Sequence, residues 1–150
     1  MAANYGEYQS HQPPELNAAS KALTDRVSQV AQLDPLKVGT SMTGSTTDAT
    51  ATTLGTVTPA DGKVTTVVAE IYGYRDTGAE AASYFVALTV RRSGATVTAI
   101  GTATALHTAE DVAGWAGTLD VSGTTVRVRV TGAASSNVAW SAFVTQRPNG

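Results

Sequence analysis

The chain contains no cysteine among its 150 residues, which excludes a disulfide framework, a thiolate nucleophile and any Cys-type zinc site. Histidine is nearly as scarce: His11 and His107 stand far apart, with no paired carboxylate or third ligand at metal-site spacing. Charge is thin as well, with Asp, Glu, Lys and Arg at 15% of residues against about 25% in an average soluble domain. The formal net charge of −2 gives a weak long-range field, so neither nucleic acid nor an anionic membrane is an expected partner. No stretch approaches the roughly 18 apolar residues of a membrane span. Residues 1–8 hold no basic segment followed by an apolar run, and synthesis and first folding are expected in the cytoplasm.

What is present is Thr, Ser, Ala, Gly and Val. With so few charges, the surface must be covered largely by neutral, hydroxyl-bearing side chains, a composition suited to a protein that sits among copies of itself. The length allows one domain with a real core, burying about 70% of the surface its unfolded form exposes.

Composition changes near residue 40. Three of five prolines, Pro13, Pro14 and Pro35, precede it, together with Tyr5 and Tyr8. The Pro13-Pro14 pair imposes an extended course, and residues 1–14 read as an arm. Over 15–31, Leu16, Ala19, Leu23, Val27 and Val30 recur at spacings of three and four, which predicts a short α-helix with one apolar face. That face either lies against the chain's own β domain or, through the seven-residue spacing of Leu16, Leu23 and Val30 with Val27 between, forms a self-associating seam. Residues 39–47 read as a flexible small-residue connector. The chain is thus divided into an arm and helix, 1–43, and a β domain, 44–150.

In the second part, period-two alternation predicts about seven strands, near 47–57, 64–74, 83–92, 95–105, 115–121, 124–131 and 138–146. Val126, Val128 and Val130 alternate with Arg127 and Arg129. Tyr84, Val86, Leu88 and Val90 form one face, and Val138, Trp140, Ala142 and Val144 another. Asp61-Gly62, Ser93-Gly94 and Ser122-Gly123 mark hairpin turns. The fold class expected is mainly β: a compact antiparallel β-sandwich or barrel, jelly-roll-like, preceded by the arm and helix. Trp115 and Trp140 are candidate core residues.

Catalytic constellations are hard to find. Glu110 and Asp111 are adjacent, so in extended chain their side chains diverge, and residues 107–111 read as a turn or one-turn helix capped by Thr108. Asp76, Glu80 and Asp120 are the residues that would gather around a loop-bound cation. Gly73 and Gly101 fall within strand patterns and suggest bulges. Arg91, Arg92, Arg127 and Arg129 pair with carboxylates or guard a sheet edge. No nucleophile elbow or phosphate-cradling loop is present, and no cofactor or metal is expected. Tyr5 and Tyr8, with no core to join, suit anchoring on another protein.

The runs TTDATATTL (46–54), AASYF (81–85), IGTATAL (100–106), EDVAGW (110–115), TTVRVRVTGA (124–133) and NVAW (137–140) resemble, in that order, a β module of tailed-bacteriophage fibre and head-decoration proteins. The resemblance covers about residues 46–146. It implies a non-enzymatic β domain, often trimeric, on the virion surface, with no catalytic residue to carry over. The short segment before the module suggests a capsid decoration (cement) protein on the outer surface of the phage head. Tyr5, Tyr8, Pro13 and Pro14 would then bind the major capsid protein, and Leu16, Leu23, Val27 and Val30 would form the seam of a homotrimer. The alternative is a head- or tail-fibre knob that meets host-surface glycan or receptor through loops at 73–80 and 133–137. A small glycan hydrolase is the enzymatic rival.

Overall fold

The computed structural model describes residues 39–75 and 77–149. The expected arm and the helix over 15–31, with Tyr5, Tyr8, Pro13, Pro14, Leu16, Leu23, Val27 and Val30, lie outside the described residues.

The described residues form nine strands: β1 (Gly39–Thr46), β2 (Thr52–Val57), β3 (Val64–Arg75), β4 (Glu80–Ser93), β5 (Thr96–Ala99), β6 (Thr104–Glu110), β7 (Ala116–Ser122), β8 (Thr125–Thr131) and β9 (Val138–Pro148). All pairings between them are antiparallel. One sheet runs β1-β9-β3-β4-β5, with β6 also on β4, and the other runs β2-β8-β7. The division into six and three strands, with β3, β4 and β5 side by side, differs from the two Greek keys of an eight-stranded jelly roll.

The alternation read from the sequence sets which face each strand buries. Val126, Val128 and Val130 of β8 face Val67, Ala69 and Ile71 of β3 and Val86, Leu88 and Val90 of β4 within one core. Glycines at Gly62, Gly94 and Gly123 take φ of 68°, 59° and 57°, the left-handed geometry that tight hairpins require.

Three expectations about elements are corrected. Residues 39–46 form strand β1 on β9 where a flexible connector was expected, because Met42 and Thr46 point inward and the intervening small residues fit beside β9. The single strand expected at 95–105 is two: the chain bends at Ile100-Gly101, with Gly101 at φ 82°, and resumes as β6. That strand includes residues 107–110, so the capped turn is absent. Every residue of β6 is exposed, Leu106 at 57%, because the three-stranded sheet does not extend over it.

Gly73 is also not a bulge, since its register is unbroken on both sides. It sits in a row Gly44, Trp140, Gly73, Ala82 across four strands, and a Cβ there would lie 2.5 Å from Cζ3 of Trp140. The indole occupies the space that the glycine leaves open. Trp140 and Trp115, each 2% exposed, meet edge to face at 5.8 Å between centroids, and Trp140 Nε1 donates to Thr46 Oγ1 at 2.9 Å. Thr46→Val keeps the shape but leaves the indole N–H buried without an acceptor, and is expected to cost about 1–3 kcal/mol. Urea unfolding would register it as a lower midpoint at unchanged slope.

Candidate functional site

The β3–β4 turn and the β8–β9 connection, the two segments that the sequence offered as contact loops, meet at one end of the sandwich. Arg75, the last residue of β3, ties them together. Its Nε donates to Glu80 Oε2 at 2.7 Å and its Nη2 to Glu80 Oε1, making a two-point fork, while Nη1 donates to Ser136 Oγ at 2.6 Å across 61 residues of sequence. The Arg75 and Glu80 side chains are about three-quarters buried. Each loop also holds a non-glycine residue in the left-handed region, Ala79 at φ 55° and Ser135 at φ 59°. Such conformations persist only where surrounding contacts over-determine them, and the Arg75 clamp supplies those contacts.

Next to this end, the outer face of the six-stranded sheet carries Tyr72 and Tyr74 of β3, 49% and 50% exposed. The two-residue spacing puts both rings on one face. Register explains why they stand clear. Tyr72 lies between Ser83 of β4 and Ser141 of β9, and Tyr74 between Ala81 and Ala139, so each large ring is flanked by small side chains. Glu70, one step back on the same face, lies between the half-buried rings of Phe85 and Phe143 and accepts a hydrogen bond from Tyr72 Oη at 3.4 Å.

The carboxylates considered for chemistry are drawn to separate partners. Asp120 is forked by Arg127 through Nε and Nη2, both at 2.7 Å. Glu110 accepts from Tyr84 Oη at 2.7 Å, and burial together with that carboxylate raises the Tyr84 hydroxyl well above its ordinary range. Asp111 Oδ2 accepts the Ala81 amide at 2.9 Å. Glu80 is held by Arg75, and Asp76 lies outside the described residues. Among the described residues no three His, Asp or Glu side chains gather where a metal ion would be held. Arg129 reaches Thr53 Oγ1 and the Ala51 carbonyl and lies 3.9 Å from Asp120, and Arg92 reaches the carbonyls of Pro59 and Gly94. His107 lies on exposed β6, paired with Phe85.

No protein-family model matches the chain, and no curated protein matches it. Among solved structures it is similar to the tailspike protein of Acinetobacter baumannii phage AM24, at 13% identity over 75% of this chain, with a TM-score of 0.47. It is also similar to tailspike protein gp49 of Acinetobacter baumannii bacteriophage Fri1, a capsular polysaccharide depolymerase, at 14% identity over 74% of this chain and a TM-score of 0.38. A third is the tailspike protein of Acinetobacter phage vB_ApiP_P1, at 18% identity, 74% coverage and a TM-score of 0.35. The chain spans 27%, 18% and 21% of those three proteins. The expectation of a non-enzymatic chain is corrected here: the Fri1 tailspike is itself a depolymerase, so absence of activity is not a conclusion for this protein.

The Arg75 clamp has a pH signature. Hydrogen bonding from Arg75 lowers the Glu80 pKa below the ordinary carboxylate range. The stability it contributes is therefore full above the unfolded-chain pKa and is lost as pH falls through the lower folded value. Amide exchange at 77–80 and 133–136, corrected for intrinsic rates, is expected to accelerate only toward the acid end of a series from about pH 6 to about pH 3. Arg75→Met is expected to accelerate it across the series and flatten the dependence.

Proposed function

We propose that the chain is a β module of a bacteriophage tail fibre or tailspike that makes contact with host-surface polysaccharide. The observation that carries this reading is the clamped end of the sandwich. Two loops distant in sequence are locked together by one arginine, with strained residues in both and a clear aromatic pair beside them. A sugar chain offers a rigid surface few apolar groups to bury, so a binding end has to be ordered beforehand to avoid spending its small contact energy on loop ordering. The ordered motifs resembling phage fibre modules agree with this setting, and the similar tailspikes belong to it by name.

On this reading the segment before the module serves attachment. Tyr5, Tyr8, Pro13 and Pro14 hold it to another virion protein, and Leu16, Leu23, Val27 and Val30 associate copies as a homotrimer. A capsid decoration protein would use the same segment on the major capsid protein, and the position of the module on the particle separates the two.

Labelled chain is expected to co-sediment with encapsulated host cells and to lose that binding when the capsule is stripped. Equal binding to stripped cells would reject the polysaccharide reading. Deletion of residues 1–14, read as an extended arm, is expected to leave the unfolding midpoint unchanged while removing the protein from assembled particles.

A further inference from the structure

The outer sheet face has a charge pattern that bears on which sugars it accepts. Glu70 lies about 7 Å along β3 from Tyr72, and Asp111 adjoins the row of Tyr74 through its bond to the Ala81 amide. Among the described residues the basic groups that register assigns to this face are His107, two strands from Glu70, and Arg147 and Arg91, paired with Thr66 and Val64. Thr66 is six residues from Tyr72, about 20 Å, and Val64 is further still. That exceeds the Debye length of about 8 Å at physiological salt, so the two arginines do not offset Glu70 at the tyrosines.

We infer that Tyr72 and Tyr74 form a stacking platform for a pyranose that carries no acidic group, a neutral or amino sugar. This rests on the polysaccharide reading above and names its site and its charge class. A pyranose presents C–H groups on one face, and these meet the electron-rich face of a tyrosine ring favourably. The hydroxyls of Ser83 and Ser141, on either side of Tyr72, are placed to exchange hydrogen bonds with ring substituents. An ammonium group gains from both the ring face and Glu70. A uronic or sialic carboxylate meets Glu70 as a like charge, which neither arginine of the face is near enough to relieve. Small residues on both neighbouring strands at both tyrosine rows are what make the platform: with Val or Leu at 81, 83, 139 or 141 the ring faces would be covered.

The test is a glycan array probed with the full chain, with affinities measured by titration against neutral, amino-bearing and acidic capsular oligosaccharides. The neutral and amino sugars are expected to bind, and Tyr72→Ala with Tyr74→Ala to weaken them about tenfold or more. Both positions are exposed, so the unfolding midpoint confirms that the variant is folded. Glu70→Gln is expected to leave neutral sugars unchanged and to admit acidic ones. Full affinity in the double tyrosine variant overturns the platform while the polysaccharide reading stands. Preference for acidic sugars overturns the charge assignment. Light scattering covers the remaining occupant: if the chain self-associates and the double variant abolishes this without altering sugar binding, the face is an interface between copies and the inference fails.

Discussion

The seat of Trp140 over Gly73 is the constraint on which the rest of the structure depends. The indole leans over the neighbouring strand because Gly73 carries no side chain there, whereas on the other side of the row the space over Gly44 is filled by Leu54. The hydrogen bond to Thr46 then fixes β1 to β9, and the edge contact with Trp115 reaches the segment that leads into β7 in the second sheet. One side chain thereby joins both sheets. Gly73 also separates Tyr72 from Tyr74. The packing that holds this stretch of β3 from beneath fixes the backbone that carries the two tyrosines on the opposite face.

Much of the fold was legible wherever a strand has one wet face and one dry one. Val126 to Val130, Tyr84 to Val90 and Val138 to Val144 alternate because each lies over the core, and each was assigned the correct face. The unread strands lack that asymmetry. β1 buries only Met42 and Thr46, and its position is set by β9, distant in sequence. β6 has no dry face, so the hydrophobic period has nothing to report. Gly73 was misread for a related reason: a glycine that makes room for a neighbour and one that marks a bulge look alike until the register is known.

The candidate site was legible in part. Its two loops were named as the contact loops of the fibre-knob alternative, and alternation alone places Tyr72 and Tyr74 on a common face. What sequence could not supply was the neighbourhood. That Arg75 would reach Ser136, or that Ser and Ala would flank both tyrosines from two other strands, follows from strand order and register, which depend on the whole sheet. The residues proposed for the arm and the trimer seam lie outside the described residues.

On the proposed reading the clamp and the platform solve different parts of one problem. A single sugar stacked on tyrosine contributes of order 1 kcal/mol, too little to offset the ordering of a mobile loop, whose cost is about 1–2 kcal/mol per residue fixed. Weak recognition of this kind requires that ordering be complete before the ligand arrives. Here the β3 strand supplies the order for the rings, through Trp140 below them, and Arg75 supplies it for the loops, through Glu80 and Ser136. The remaining deficit in affinity is one of number: copies held side by side convert later contacts on a repeating polymer into intramolecular ones, multiplying avidity without any new interaction. On the proposed reading a repetitive surface and a repeated module suit each other for that reason, and a low charge keeps neighbouring copies from repelling one another.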